Sequence, residues 1–245
     1  MLSDWILPDW PAPSNVLATS TTRHGGVSTG ACASLNLGTH VGDDPDAVKE
    51  NRRRARDALQ LVREPCWLRQ VHGTCVARPD DEAHIEPADA ALTRHSGRAC
   101  VILTADCLPV LLCDRAGTTV AAVHCGWRSL SAGVLENTVH AMQIPGMQIM
   151  AWLGPAIGPG AYEVGDEVMQ AFVDHDVDAT TAFQHQPNGK WLCDLYALAR
   201  MRLEALGVKE IYGGGFCTLS DRERFFSYRR DGECGRMGTF IWLAP

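Results

Sequence analysis

The sequence predicts a mixed α/β (α+β) fold in one domain spanning residues 1–245. Three observations carry the prediction. Short apolar segments bounded by turn residues read as strands, and longer amphipathic stretches read as helices. The two kinds are interspersed without strict alternation, which argues against a regular doubly wound sheet. No internal repeat, low-complexity tract or Gly/Ser/Pro-rich linker divides the chain. At 245 residues, with 46% hydrophobic and 21% charged residues, it can bury a core without disulfide or metal staples.

Taken in order, Val16–Thr22 is the first strand signal. Pro45–Leu61 is the first helix, opened by Asp44 as N-cap and by proline at the first helical position. Ala99–Thr104, Val110–Cys113 and Thr118–Val123 are apolar strand segments. Ser129–Met142 reads as a helix, Gln148–Leu153 as a strand and Gly165–Asp174 as a helix. Asp194–Leu206 places Leu195, Leu198, Ala199, Leu203 and Leu206 along one helical face and stops at Gly207. Arg202 falls on that same face and breaks the stripe. Glu210–Tyr212 is the last strand signal.

Composition excludes several classes. The 22 Lys and Arg against 29 Asp and Glu leave a net charge of −7, without the basic excess that drives unspecific nucleic-acid binding. The first residues carry Asp4 and Asp9 and no Lys or Arg before Arg23, unlike a secretory signal. No apolar run is long enough to span a membrane. A cytoplasmic protein with ten reduced cysteines is expected, and none of them forms a Cys-x-x-Cys pair. The glycine runs at Gly25-Gly26, Gly154 to Gly160 and Gly213-Gly214-Gly215 match neither a dinucleotide fingerprint nor a Walker loop, and read as tight turns.

Reactive side chains gather where strands give way to turns, the usual place for exposed groups held by a rigid frame. Gln70-Val71-His72-Gly73, Thr104-Ala105-Asp106-Cys107-Leu108-Pro109 and His124-Cys125-Gly126-Trp127-Arg128 are such places. His72, Cys107 and His124 could form a three-ligand zinc site with an open fourth position. They could equally form a thiol nucleophile, Cys107, with His124 or His72 as base. Cys125 should point away from His124 and pack. His24 and His40 are candidates to line a pocket, His140 sits in a helix, and His84, His95, His175 and His185 lie in polar segments. Arg222–Arg230 is either a solvated turn with packed rings or a phosphate site, with Arg128 a second phosphate candidate. Arg52, Arg53 and Arg54 point in different directions from one helix, toward solvent or acidic neighbours.

Several motifs read in order along the chain: Thr22-Arg23-His24-Gly25-Gly26-Val27-Ser28, Ser34-Leu35-Asn36-Leu37-Gly38, Val41-Gly42-Asp43-Asp44 and Asn51-Arg52. The Gln70, Asp106-Cys107 and His124 motifs come next, then Gly154-Pro155-Ala156-Ile157-Gly158, Tyr162-Glu163-Val164, Phe226-Ser227-Tyr228-Arg229-Arg230 and Gly235-Arg236-Met237. Together they resemble the laccase-domain family, also called the polyphenol oxidase or peptidoglycan editing factor family. One departure is that Cys125 and Ser129 stand where the family has Ala and Gly, small residues in place of small residues.

The resemblance implies a layered α/β/β/α sandwich and a zinc held by His72, Cys107 and His124, which are also the expected catalytic residues. Cu2+ is the alternative or adventitious metal. It implies phosphorolysis of adenosine, inosine and S-methyl-5'-thioadenosine, deamination of adenosine, and a bacterial role in peptidoglycan composition. Purine nucleosides and phosphate are the expected partners of a monomer or homodimer, with no nucleic acid and no membrane. Asn36, Gln70, Arg128, Tyr162, Arg229 and Arg230 are the expected substrate-binding residues, and Asp106, Glu163 or the metal-bound water could protonate the leaving base. A copper oxidase with a multinuclear cluster is disfavoured, because nine histidines include no His-x-His pair. A cysteine-dependent hydrolase built on Cys107, and a binding protein without turnover, compete with the zinc enzyme for the same residues.

Overall fold

The computed structural model describes residues 4–79 and 87–245. Its strands are β1 (Val16–Ser20), β2 (Cys66–Trp67), β3 (Val76–Ala77), β4 (Ala90–Thr93), β5 (Cys100–Thr104), β6 (Leu108–Asp114), β7 (Val120–Cys125), β8 (Ile149–Leu153), β9 (Glu163–Val164), β10 (Phe183–His185), β11 (Trp191–Cys193), β12 (Glu210–Gly213) and β13 (Met237–Leu243). Its helices are α1 (Pro45–Ala58), α2 (Trp127–Ser131), α3 (Val134–Met142), α4 (Asp166–Val173), α5 (Leu195–Ala205) and α6 (Tyr228–Asp231). The strands form a four-stranded sheet ordered β1-β13-β5-β2, a six-stranded sheet ordered β12-β8-β6-β7-β4-β3 and a three-stranded sheet ordered β10-β11-β9.

The two large sheets pack face to face. Ile102 and Ile241 of the smaller meet Leu111, Ala122 and Trp152 of the larger. On the outer face of the four-stranded sheet, Val101, Leu103, Phe240 and Trp242 are covered by Leu35, Leu37, Leu61 and Ala55 of α1. On the outer face of the six-stranded sheet, Val110, Leu112, Val123 and Ala151 are covered by Leu135 and Val139 of α3 and Leu198 and Leu203 of α5. The layers are therefore α/β/β/α. Alternate residues of β6, Val110 and Leu112 against Leu111 and Cys113, serve different cores, as the two-residue strand period requires. Strands buried on both faces read as continuous apolar runs, which is why the central strands are legible in the sequence.

The structure moves several boundaries. The strand expected at Thr118–Val123 runs over Val120–Cys125, which brings His124 and Cys125 into it. The helix expected over Ser129–Met142 is two helices, because Gly133 adopts φ 97° between them. The helix expected at Pro45–Leu61 stops at Ala58, and Gln60 turns to φ 55°. Arg202 interrupts the apolar stripe of α5 for a reason: it donates to Glu136 Oε1 of α3 (2.7 Å) and to the Ser131 carbonyl (3.2 Å), tying the covering helices together. The largest omission from the sequence expectation is β13. Its seven residues are all buried, and it pairs with both β1 and β5 at the centre of its sheet. The short β2, β3, β4, β9, β10 and β11 are also additions to that expectation. Among the described residues, no helix is long and apolar enough to cross a membrane.

Ile102 fills the space between the sheets with no exposed surface, whereas Val62 is 84% exposed. Ile102→Ala is expected to lower unfolding stability by about 2–5 kcal/mol in urea titrations. Val62→Ala is expected to change it by less than about 0.5 kcal/mol.

Candidate metal centre and cleft

The site forms where the chain crosses from one sheet to the other. β5 of the four-stranded sheet ends at Thr104, and β6 of the six-stranded sheet begins at Leu108. Asp106 makes the turn between them at φ 93°. Thr218 Oγ1 donates to Asp106 Oδ1 (2.6 Å) and the Arg229 backbone N–H donates to Oδ2 (2.7 Å). Ile157 N–H donates to the Asp106 carbonyl (2.9 Å). The turn that carries Cys107 is thus held from three directions. His124 lies on β7, opposite Pro109, near the end where β6 begins. The next residue, Cys125, is fully buried in the core beneath α3, so successive strand residues serve the site and the core as expected.

His72 comes from a loop after β2, at φ 59°. Its position depends on Asp89, a fully buried acid immediately before β4. The backbone N–H groups of Val71, His72 and Gly73 donate to the Asp89 carboxylate (3.1, 2.9 and 2.6 Å). His124 Nδ1 lies 2.8 Å from Asp89 Oδ1. An ionised carboxylate only accepts, so Nδ1 carries a proton and Nε2 is the ring nitrogen of His124 left to interact with Cys107. Burial pushes the Asp89 carboxyl up, but the His124 and Gly73 hydrogen bonds outweigh this and hold it below its ordinary value.

The ligand-type atoms of His72, Cys107 and His124 all lie within 4.8 Å of one another, and Cys107 Sγ is 3.8 Å from His72 Nε2. Tetrahedral zinc, with bonds of about 2.0–2.3 Å, needs its ligand atoms roughly 3.3–3.8 Å apart. The donor set fits a metal after small adjustment. A metal-ligating histidine commonly gives its other N–H to a carboxylate, which is what His124 does with Asp89. Burial pushes the Cys107 thiol up, while His124 and His72 pull it down further, to about 6. Burial lowers His124, and Cys107 and Asp89 raise it to about 9. Each of the two groups favours the charged form of the other. Among the described residues, this is the one group of three or more such side chains placed to hold a metal.

The triad opens into a cleft of about 540 Å3. Of the expected substrate residues, Gln70, Arg128, Tyr162 and Arg229 line it. Gln70 is largely committed to the fold, since its amide donates to the Leu103 carbonyl and accepts the Leu103 N–H (2.9 and 2.8 Å), fixing the His72 loop to β5. Burial raises the Tyr162 phenol, so it stays a neutral hydroxyl. His40 also lines the cleft, whereas the exposed His24 does not. His84 lies outside the described residues.

Asn36 and Arg230 lie outside the cleft lining. Asn36 is fully buried, and its amide donates to Gly38 O and Asp43 Oδ2 while Oδ1 accepts from Gly38 N–H and Arg236 N–H. Arg230 spends its guanidinium on Asp231 and on the carbonyls of Thr218, Leu219 and Phe225. Of the two candidate acids, Asp106 has both oxygens engaged, and Glu163 accepts from Asn188 Nδ2 (2.9 Å) outside the lining. Sequence reasoning misses Asp89, Tyr228 and Arg236 as parts of the site. An acid set among alanines, Ala88-Asp89-Ala90-Ala91, was the available signal for the first.

Residues 17–244 match the family described as multi-copper polyphenol oxidoreductase laccase. The chain is 53% identical over 243 residues to a Pseudomonas aeruginosa protein named purine nucleoside phosphorylase PA4543, covering 99% of each chain. It is 53% identical over 244 residues to purine nucleoside phosphorylase YfiH of Escherichia coli, covering 99% of this chain and 100% of the relative. Its structure is similar to that of Neisseria meningitidis protein NMB0706, with a TM-score of 0.96 and 50% identity over 99% of this chain and 100% of the other. It is similar also to YlmD of Geobacillus stearothermophilus, with a TM-score of 0.90 and 31% identity over 100% and 98%.

Two substitutions test the centre. With zinc as the probe metal, Asp89→Asn is expected to weaken metal binding about 10–100-fold in chelator competition, because His124 loses the carboxylate that orients it. A Cβ on Gly126 would stand 2.6 Å from His72 Cδ2 and 3.2 Å from Cys107 Sγ. Gly126→Ala should therefore displace His72 and weaken zinc binding in the same assay, while circular dichroism stays that of the parent.

Proposed function

The chain belongs to the family described as multi-copper polyphenol oxidoreductase laccase, and from that premise we propose that it is a zinc-dependent purine nucleoside phosphorylase. In this reading it converts adenosine, inosine and S-methyl-5'-thioadenosine, with phosphate, to free base and ribose or methylthioribose 1-phosphate. It also deaminates adenosine, acts in the cytoplasm and contributes to peptidoglycan composition. Relatives named purine nucleoside phosphorylase support the class of reaction. The observation that carries the reading is the convergence of His72, Cys107 and His124 on one point at a cleft lined by Arg128, Arg229 and Arg236. The family description suggests copper, yet a multinuclear oxidase needs several clustered histidine sets, and the described residues offer one such group.

His72, Cys107 and His124 would hold the zinc, which supplies Lewis acidity at an open position. The remaining chemistry belongs to the chain. Phosphorolysis breaks the bond from C1′ of the sugar to the purine nitrogen and forms one from C1′ to a phosphate oxygen, while positive charge develops on the sugar and the base leaves with a proton. Guanidinium groups in the lining neutralise the phosphate and orient it. The rings of Trp127, Tyr162 and Tyr228 offer flat apolar surface to a purine. Asp106 holds the Cys107 turn and the Arg229 backbone in place, so it positions two parts of the cleft. Asp89 orients His124 in the same indirect way.

One observation favours a second reading. Cys107 Sγ lies 3.8 Å from His72 Nε2, as a thiol nucleophile and its base would. Metal analysis with an activity assay separates the two. Zinc-loaded protein should release adenine from adenosine only when phosphate is present, with ribose 1-phosphate formed in equal amount. Cys107→Ala should lose both zinc and more than about 100-fold of that rate, in the range seen when a metal or nucleophile is removed. Nucleoside turnover absent from zinc-loaded protein would overturn the phosphorylase reading. Full activity in metal-free protein, blocked by iodoacetamide, would favour the thiol.

A further inference from the structure

Phosphate needs a partner of opposite charge, and the sequence leaves Arg128, Arg229 and Arg230 undecided. Arg230 is saturated by Asp231 and three carbonyls. The three arginines of the lining keep more of their donors free. Arg229 uses Nη1 alone, on the Glu163 carbonyl (2.7 Å). Among the described residues, Arg128 makes no side-chain hydrogen bond, and Arg236 uses Nη1 alone, on Cys234 and Gly235. Each is nevertheless oriented by an aromatic face in the same lining: Arg128 Cζ lies 4.3 Å from the centre of the Trp127 ring, and Arg236 Cζ lies 5.9 Å from that of Tyr228.

Strand register puts these arginines on either side of Cys107. Met237, the first residue of β13, pairs with Thr104, the last of β5, so Arg236 sits at the rim from which the Cys107 turn departs. Leu108, the first residue of β6, pairs with Cys125, so Arg128 lies just beyond the other side of that turn. Arg236 is also a built position. Its backbone N–H donates to Asn36 Oδ1 (2.9 Å), and its Cγ passes so close to Gly38 that a Cβ there would stand 2.8 Å away. The buried Asn36 thus sets the backbone that aims Arg236, and Gly38 leaves the side chain room. Asp106 is the single acidic residue of the lining, with both oxygens already engaged. The cleft is therefore cationic in a protein whose net charge is −7.

We propose that Arg128 and Arg236 are the paired guanidinium groups that bind inorganic phosphate beside the metal triad. Assigning the anion as a co-substrate rests on the phosphorylase reading, whereas the oxyanion site itself does not. Two planar forks with free N–H edges match the oxygens of a tetrahedral dianion. Arg229 closes the ring of cations from the Tyr162 side (5.1 Å between Cζ and ring centre).

The test titrates inorganic phosphate into zinc-loaded protein by calorimetry, without nucleoside, and measures KM for phosphate and for adenosine separately. Arg128→Ala and Arg236→Ala should each raise the phosphate Kd and KM about 10–100-fold, with KM for adenosine changed by less than about threefold. Arg236→Lys should recover part of the loss, because it keeps charge without the fork. Arg222→Ala, whose side chain is 70% exposed and absent from the cleft lining, should leave phosphate binding unchanged. Phosphate Kd unaltered in Arg128→Ala, an exposed position that can be emptied without touching the core, would overturn the proposal. Loss of phosphate binding in the variants of a protein that never phosphorolyses a nucleoside would uphold the oxyanion site and overturn the phosphorylase reading instead.

Discussion

A single buried carboxylate, Asp89, ties two of the three side chains of the candidate metal group to one sheet. Removing a charge from water is unfavourable unless donors replace its hydration. Asp89 is given three backbone N–H groups from the His72 loop and the Nδ1–H of His124. The satisfaction is reciprocal. The loop has no strand of its own to hold it, and His72 adopts a left-handed backbone, φ 59°, that few residues other than glycine take. The same carboxylate fixes the tautomer and direction of His124. Because β4 pairs with β7, with Ala90 opposite Val123, Asp89 and His124 are neighbours by register. The sheet thereby transmits its rigidity to two of the three metal-type ligands.

The third ligand comes from the topology of the sandwich. The β5–β6 connection is where the chain leaves one sheet for the other, so Cys107 stands at the seam between layers. The turn at this seam is held from distant segments: Ile157 bonds the Asp106 carbonyl, and Thr218 and Arg229 bond its carboxylate. The rim is built from residues that flank strands at the same end. Trp127 and Arg128 follow β7 after Gly126, and Arg236 comes directly before β13. Aromatic–arginine pairs around the mouth hold long side chains in place without consuming all their donors. A phosphate-sized ligand would meet charge that is already oriented, so little ordering would be needed on binding.

The sequence displays the reactive part of this arrangement more clearly than its supports. His72, Cys107 and His124 stand out because each interrupts a strand end with a group that has chemistry, and the α1 cap at Asp44-Pro45 obeys local rules that the structure shares. Supports are harder to read, since a buried acid such as Asp89 differs from a surface acid only by what packs around it. Asn36 and Arg230 look like binding residues because they are polar and sit in recognisable motifs, yet their groups are spent on nearby backbone and on the carboxylates of Asp43 and Asp231. Arg236 sits in a motif that assigns it no role, because its role comes from β13 pairing with β5 across a long stretch of chain. β13 itself carries a signal in Thr239-Phe240-Ile241-Trp242-Leu243, a β-branched and aromatic run suited to a strand buried on both faces. The splitting of the expected long helix comes from the left-handed Gly133, a conformation open to glycine that periodicity alone does not reveal.

The central claim is that Asp89 organises His72, Cys107 and His124 into one metal centre. X-ray absorption at the zinc edge of the loaded protein tests it most directly. The account predicts one sulfur at about 2.3 Å and two imidazole nitrogens at about 2.0–2.1 Å, with the sulfur shell lost in Cys107→Ala. A zinc shell of nitrogen and oxygen alone, unchanged by that substitution, would contradict it.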